Sequence, residues 1–517
     1  MFLILETVFS KSFGANQKLC FSRNRERRAL TVKTVWFAVL ALLVTFLVLS
    51  VPSVMAVAPQ SPAFASTPRA QTTYTYYLPF LANRYVMSGT TGSYTTYLAI
   101  QNTSSATANI TVAYYASNGN VLATPPTNCV AINPLAECVA SNPFAMGKRG
   151  TGVVTSDQPL SIIVGEATPF GGTAFAANAQ PSNVNEVPIA LNNAFGGFNT
   201  QIIIFNPGIS GGANINFYDK NGNVVASKSV PIPILTTQIL DLRDPALGLP
   251  DGFSGWALIL AGSTIGDELV VQTLEYNLNH HFVAVLGQPF INTTLYAPAI
   301  FNQAFGSYVT GISLVNPYAA LITSTITYYD NLGKAYPTDP FTLPAFGATT
   351  IYNGGSGGVG LPVNGLPVGF YGSAIVKVQG QGAVMAVNEV GSATADGQSV
   401  SGAYAATTSG KNNIDLPVVS NGGFGFTTGL TIQNISSSAI SCTMQYYRVD
   451  GNVQGTALTY NIPANASQVI YQGAADLPPG FYGTAVITQN TGSSGSLIVA
   501  TNAISPDTFY AYSVPNQ

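Results

Sequence analysis

The sequence contains the same series of landmarks four times, and this repetition limits what the chain can fold into. Each series opens with a proline that follows an apolar residue: Pro79, Pro188, Pro298 and Pro417. The intervals between these prolines are 109, 110 and 119 residues. Solenoid units of roughly 20–50 residues cannot fold alone, whereas about 100 residues is the size of a complete domain. We therefore expect four tandem domains.

Short β-strands separated by tight turns are predicted within each repeat. An apolar run ends in an asparagine in all four repeats, at Asn102, Asn206, Asn316 and Asn434. An aromatic pair then precedes a turn that contains glycine: Tyr114-Tyr115, Phe217-Tyr218, Tyr328-Tyr329 and Tyr446-Tyr447. Asn-Gly and Asp-Gly turns favour hairpins, because both central residues of a type I′ turn need positive φ. With no helical pattern after residue 66, the repeats predict an all-β fold of antiparallel β-sandwiches.

A short motif in two repeats resembles a known family of sandwiches. Repeats three and four contain Leu-Pro-x-Gly-x-Tyr before a strand, ending at Tyr371 and Tyr482. This motif resembles the tyrosine corner of immunoglobulin-like and fibronectin type III domains. Repeat two has Ser254 in place of the tyrosine, and repeat one matches only at Gly147 and Gly150. The resemblance implies four tandem immunoglobulin-like sandwiches and no antibody-type function.

Residues 1–66 have the composition of an export signal. Arginines at 23–28 precede an apolar run at 35–49, and Ala-Phe-Ala at 63–65 fits a cleavage site before Ser66. We expect a signal peptide, or an uncleaved anchor helix that leaves the repeats outside the membrane. The repeats are therefore predicted to be extracellular or at the cell surface. Their predicted boundaries are 67–183, 184–291, 292–411 and 412–517.

Charge and cysteine use fit an exported protein. Residues 1–66 hold 7 of the 18 basic residues and 2 of the 21 acidic ones, which leaves 11 basic against 19 acidic in the repeats. A nucleic-acid-binding protein would need a basic face, which these repeats lack. Cys129 and Cys138 lie in a proline-rich loop and are expected to form a disulfide in an oxidising compartment. Cys442 has no visible partner and is predicted to be a buried strand residue, while Cys20 belongs to the leader.

The titratable residues do not form a recognisable catalytic or metal-binding pattern. The adjacent His280 and His281 would point to opposite faces of a strand, so they could not both bind one metal ion. The turn that begins at Asp219 lacks the later glutamate of a calcium loop. The acids Glu166, Glu275 and Glu389, with Asn502 in repeat four, occupy one matching place per repeat. That recurrence favours a structural role, and we predict no enzyme activity, no cofactor and no metal.

Outward-facing aromatic residues are the best binding candidates in the sequence. Side chains alternate along a strand, so one member of each aromatic pair faces the core and the other faces outward. The candidates are Tyr115, Tyr218, Tyr329 and Tyr447. Exposed tyrosines suit sugar rings or protein partners. The alternatives are cross-strand packing on the outer face of a sheet and coverage by the adjacent domain.

The sequence favours a non-enzymatic extracellular or cell-surface protein with a structural or adhesion role. The repeats would form a rod or the subunit of a lattice. Identical neighbouring chains, a cell-wall polymer or a polysaccharide would be the partners, with membrane contact only through the N-terminal segment. The alternative is an array of carbohydrate-binding modules, which would show outward aromatic residues along one groove. A hydrolase is the third hypothesis, and the composition argues against it.

Overall fold

The computed structural model describes residues 72–86, 93–122, 129–168, 171–177, 180–208, 211–262, 267–277, 282–286, 291–306, 308–355, 358–393, 399–474, 477–505 and 508–513. The predicted signal or anchor segment and the pair His280-His281 lie outside these residues. The described residues form an all-β structure with two short 3-10 helices, Pro245–Leu247 and Gln472–Ala474. None of the helices in this part of the chain is long and apolar enough to span a membrane.

The strands follow the four sequence repeats. Repeat one contains β1 (Tyr74–Asn83), β2 (Tyr85–Val86), β3 (Ser93–Asn102), β4 (Ala108–Ala116), β5 (Ala131–Ile132), β6 (Glu137–Ser141), β7 (Lys148–Ser156), β8 (Leu160–Thr168) and β9 (Gly171–Ala176). Repeat two contains β10 (Val184–Asn192), β11 (Phe198–Phe205), β12 (Gly211–Asp219), β13 (Val224–Ile232), β14 (Thr237–Asp241), β15 (Phe253–Ala261), β16 (Val270–Asn277) and β17 (Phe282–Leu286). Repeat three contains β18 (Thr294–Ala304), β19 (Tyr308–Val315), β20 (Ile322–Asp330), β21 (Ala335–Pro337), β22 (Phe341–Leu343), β23 (Ala348–Tyr352), β24 (Phe370–Gln379), β25 (Val384–Ala393) and β26 (Ser399–Ala405). Repeat four contains β27 (Asn413–Gly423), β28 (Phe426–Asn434), β29 (Ile440–Arg448), β30 (Val453–Ile462), β31 (Ser467–Tyr471), β32 (Phe481–Gln489), β33 (Leu497–Ser505) and β34 (Thr508–Ser513).

The same strand order recurs in every repeat. In repeat two, one antiparallel sheet has the order β10-β15-β12-β13 and the other has the order β14-β11-β16-β17. In repeats three and four the first two strands also pair, so the two sheets join along one edge. Side chains from both sheets share one core, as Val187, Ile202 and Ile259 do in repeat two. Each repeat therefore has the two-layer arrangement of a β-sandwich.

The strand order differs from that of immunoglobulin constant domains. Those domains place strands A, B, E and D in one sheet. In repeat two, the first and second strands, β10 and β11, belong to different sheets. The Tyr482 hydroxyl of the predicted tyrosine corner donates a 2.6 Å hydrogen bond to Glu137 Oε1 in repeat one. The predicted all-β sandwich architecture is present, but the described strands do not follow the immunoglobulin order.

The opening proline of each repeat lies at a β-bulge in the first strand. The pairing register of β10 shifts between Val187 and Ala190, around Pro188, and equivalent shifts occur in β1, β18 and β27. Proline donates no backbone hydrogen bond, so a bulge tolerates it. Beyond the bulge, the Leu191 N–H donates to Thr200 Oγ1 at 3.1 Å. The equivalent threonines make the same contact: Thr96, Thr310 and Thr428.

The asparagine at the end of β3, β11, β19 or β28 holds a loop in place. In repeat four, Asn434 Nδ2 donates to the carbonyl oxygens of Ile462 and Pro463, at 3.1 and 2.9 Å. The equivalent asparagines donate to the matching loops: Asn102, Asn206 and Asn316. Each of these loops contains one residue with positive φ: Leu135, Leu235, Phe346 and Asn465. The landmark asparagine thus shapes a loop that recurs in all four repeats.

The four repeats form a closed ring through these loops. The glycine of the turn after β4, β12, β20 or β29 packs against the loop of the next repeat. The contacts are Gly119 on Ile234, Gly222 on Ala345, Gly333 on Ala464, and Gly451 of repeat four on Pro134 of repeat one. The final strands β9, β17, β26 and β34 contact one another in the same circular order. A head-to-tail contact that returns to its first unit gives a closed ring with approximately fourfold symmetry. The described repeats are therefore arranged as a ring and not as a rod.

The Cys129–Cys138 disulfide predicted from the sequence is present, with the two Cα atoms 5.7 Å apart. Cys442 is free and buried in β29. Burial raises the pKa of the Cys442 thiol to about 11, so the thiol stays protonated at neutral pH. The disulfide fixes the loop that leads into β6, next to the contact between repeats one and four.

Removing the disulfide is expected to lower the free energy of unfolding by about 2–3 kcal/mol, because the unfolded chain gains freedom when the loop opens. The double variant C129S/C138S should show this loss in urea unfolding. Wild-type protein treated with a reductant should behave like the double variant. A loss below about 0.5 kcal/mol, the usual effect of a surface substitution, would contradict the prediction.

Candidate functional site

Neighbouring repeats are joined by equivalent hydrogen bonds, so their interfaces can be compared position by position. The donor is the fourth residue of β15, β24 or β32, and the acceptor is the carbonyl of the positive-φ loop residue in the next repeat. Trp256 Nε1 donates to Phe346 O at 2.7 Å, Ser373 Oγ to Asn465 O at 2.7 Å, and Thr484 Oγ1 to Leu135 O at 3.2 Å. Repeats two, three and four thus bind the next repeat with the same part of their surface.

The interface between repeats two and three contains an aromatic stack. Tyr218 lies between Trp256 and Phe346, with ring centroids 4.7 and 5.2 Å away. Tyr218 is only 6% exposed, so repeat three covers this predicted outward residue. The other candidates are half-buried: Tyr115, Tyr329 and Tyr447. Their core-facing partners are buried, as the alternation predicted: Tyr114, Phe217, Tyr328 and Tyr446.

Next to this stack, a cleft of about 720 Å³ opens between repeats two and three. Repeat two contributes one wall from β10, β15, β16 and two turns, and repeat three contributes the other wall from β19, β23 and β25. The residues that matter for its chemistry are Phe195, Lys220, Ser254, Glu275, Tyr352 and Asn388. The cleft has the size of a typical small-molecule site.

Small residues explain why the cleft occurs at this interface. The second residue of β7, β15 and β32 faces the next repeat. In repeat four it is Tyr482, which donates to Glu137 Oε1. In repeat one it is Arg149, which donates to Thr237 O at 3.4 Å. In repeat two it is Ser254, which lines the cleft together with Ala348 of repeat three. A serine and an alanine leave open the space that longer side chains occupy at those two interfaces.

A buried carboxyl group lies at the floor of the cleft. Glu275 is 1% exposed, and its Oε2 accepts a 3.3 Å hydrogen bond from Asn388 Nδ2 across the interface. Burial raises the pKa of Glu275 to about 8, against a smaller lowering by Asn388. Glu275 Oε1 and Asn388 Oδ1 are buried and have no hydrogen-bond partner among the residues that the structure describes. The floor therefore presents an uncharged carboxyl and an amide with unused hydrogen-bonding capacity at neutral pH.

The matching glutamates occupy the other interfaces. Gln272 Nε2 of repeat two donates to Glu166 Oε1 of repeat one at 3.0 Å. Burial raises the pKa of Glu166 to about 7. Burial also raises the pKa of Glu389 in repeat three to about 8, with a smaller opposite effect from Asn502 in repeat four. Each glutamate thus faces an amide of the next repeat, which extends the structural role expected from their recurrence.

Two exposed aromatic rings lie at the rim of the cleft. Phe195 is 67% exposed and Tyr352 is 60% exposed. Phe195 has a φ of 49°, which is unfavourable for a bulky side chain. Phe305 and Phe424, at the matching positions of repeats three and four, have φ values of 49° and 51°, so this conformation belongs to a turn that recurs in the repeats. Lys220, also at the rim, is exposed.

The cleft is chemically suited to binding. Its walls combine apolar side chains with a few hydroxyl, amide and carboxyl groups, as small-molecule sites do. Among the residues that the structure describes, no group of three or more His, Cys, Asp or Glu side chains could hold a metal ion. The Asp219 carboxylate accepts hydrogen bonds from Asn221 N and Asn223 N, both at 2.9 Å, and so stabilises its own turn.

Sequence reasoning missed Phe195, Tyr352 and Asn388, because the cleft exists only when two repeats meet. The sequence carried one usable signal, the serine at position 254 where repeats three and four have tyrosine. No protein-family model matches the sequence, and a comparison with curated proteins gives no significant match.

Proposed function

We propose that the protein is a non-enzymatic extracellular or cell-surface binding protein with an adhesion role. The ring of repeats serves as a rigid scaffold, and the cleft between repeats two and three is the ligand site. The observation that carries this proposal is the unfilled space at Ser254 and Ala348 above a buried carboxyl with an unused oxygen. A protein that only had to close its ring would gain packing by filling that space.

The proposed organisation is four β-sandwich domains bounded as the sequence predicts, at 67–183, 184–291, 292–411 and 412–517. A distant relation to immunoglobulin-like domains is supported by the Leu-Pro-x-Gly-x-Tyr motif and opposed by the strand order. Export is supported by the leader composition and by a disulfide, which persists in oxidising compartments. Cell fractionation with N-terminal sequencing tests it, and protein found only in the cytosol with residues 1–66 intact would overturn it.

Filling the cleft is expected to abolish ligand binding. S254Y introduces the tyrosine that repeats three and four carry at this position, and S254A keeps the cleft open as a matched control. Trp256 is the one tryptophan outside residues 1–66, and it lies two residues from Ser254, so its fluorescence should report on the cleft. A mixed library of sugars, alcohols and aromatic compounds should contain ligands that change Trp256 emission saturably in wild type and S254A but not in S254Y. If no compound gives a saturable change with wild type, the proposed function is overturned.

A further inference from the structure

The floor of the cleft selects the kind of polar group that a ligand can place there. Glu275 Oε1 and Asn388 Oδ1 are buried, and within the described part of the chain neither makes a hydrogen bond to another protein group. A buried polar atom without a partner costs about 1–3 kcal/mol. A ligand that supplies hydrogen bonds to both atoms recovers that energy. The floor therefore favours ligands with several closely spaced polar groups.

Charge at the cleft narrows the choice further. A protonated carboxyl and a primary amide can each donate and accept hydrogen bonds, as the hydroxyl group of a ligand also can. An anionic group of a ligand would find no opposite charge on these two neutral side chains. It would also lose its own hydration on burial. A cationic ligand would meet the exposed ammonium group of Lys220 at the rim. Uncharged hydroxyl groups are thus the best match for the floor.

The rim favours a ligand with an apolar face. Phe195 and Tyr352 present exposed rings at the cleft, one from each repeat. Aromatic rings bind flat apolar surfaces, and a tyrosine adds a hydroxyl group at its edge. Thr349 and Thr350, on β23, add further polar groups to the lining. A pyranose ring combines these properties, because its C–H groups form apolar faces and its hydroxyl groups project from the edge.

We propose that the cleft between repeats two and three binds a neutral pyranose unit of a glycan or polysaccharide. This inference rests on the proposed binding function and specifies its ligand. Phe195 and Tyr352 contact the faces of the sugar ring, while Glu275 and Asn388 bind its hydroxyl groups. The volume of about 720 Å³ is sufficient for one or two sugar rings.

The test is isothermal titration of the full chain with glucose, galactose, mannose, N-acetylglucosamine and their β-linked disaccharides. Glucuronate and 2-phenylethanol are included as an anionic sugar and a non-sugar aromatic alcohol. At least one neutral sugar should bind, and S254Y should weaken it by about tenfold or more, equivalent to about 1.4 kcal/mol. Y371S should bind as wild type does, because Tyr371 packs against Phe305 within repeat three and does not line the cleft.

The outcomes separate the ligand class from the function. If 2-phenylethanol binds, no sugar binds, and S254Y loses the binding of 2-phenylethanol, the pyranose proposal is overturned but the proposed binding function stands. Tighter binding of glucuronate than of every neutral sugar would overturn the proposal that the ligand is uncharged. Absence of binding by every compound would overturn both proposals. Sedimentation with insoluble polysaccharide, compared with titration of free monosaccharide, then distinguishes a polymer ligand from a free sugar.

Discussion

Gly222→Ala is expected to destabilise the protein by about 2–5 kcal/mol. Gly222 has a φ of 87°, and a methyl group at this position would overlap the carbonyl oxygen of Ala345 in repeat three. An L-residue in the left-handed region costs about 1–2 kcal/mol. Overpacking at a tight contact costs roughly 1–3 kcal/mol more. Urea unfolding followed by Trp256 fluorescence measures the effect, because Trp256 spans the same interface.

Gly147→Ala is the matched control for this prediction. Gly147 also has a positive φ, of 77°, but no atom of the described residues lies within 4 Å of the position that a Cβ atom would take. The control therefore retains the backbone cost and lacks the steric one, so its loss should be about 1–2 kcal/mol. Equal losses in the two variants would show that the contact between repeats two and three does not contribute to stability, and would contradict the closed ring.

Raising the pH from 5 to 9 is expected to lower the free energy of unfolding by several kcal/mol. Burial raises the pKa values of Glu275 and Glu389 to about 8 and that of Glu166 to about 7, all above the ordinary value of 4.5. The folded protein holds these protons more tightly than the unfolded chain does, so stability is greatest below about pH 4.5 and falls until the pH exceeds the folded pKa values. A rise in pKa from 4.5 to about 8 corresponds to roughly 5 kcal/mol for one carboxyl as an upper limit.

Glutamine substitution at the interfaces tests the source of this pH dependence. E275Q and E389Q remove the ionisable group with little change in shape, so each should flatten the stability profile between pH 5 and pH 9. Asp339→Asn removes an exposed carboxyl in repeat three and serves as the control. A wild-type profile that stays level across this range would mean that the carboxyl groups are hydrated when folded, and the prediction would fail.

Local sequence signals predicted the strands well because local physics determines them. Turn glycines with positive φ, such as Gly222 and Gly451, lie where the Asn-Gly and Asp-Gly signals placed them. Alternation along β12 correctly separated the core residue Phe217 from Tyr218. The cysteine spacing in the proline-rich loop predicted the disulfide. Each of these features depends on residues that are close together in the chain.

The ring and the cleft could not be predicted in the same way. The sequence motif predicted that Tyr482 forms a tyrosine corner within repeat four, yet its hydroxyl donates to Glu137 in repeat one. Alternation predicted that Tyr218 faces outward, and nothing in its own strand indicates that Phe346 stacks on it. Both outcomes depend on how one complete repeat packs on another. Comparison of equivalent positions across the repeats marks Ser254 as unusual, but only the packing of repeat three on repeat two shows that a cleft opens there.

Closure of the ring has to wait until the last repeat has been synthesised. Glu137 and Tyr482 are separated by 345 residues in the chain. Repeat one therefore emerges from the ribosome long before repeat four, and its loop around Pro134 has no partner until the last repeat is translated. The tether then favours the partner in the same chain, because it holds that partner at a high effective concentration. A ribosome that stops early releases a chain with one unmatched surface at each end, which is the geometry that produces head-to-tail polymers.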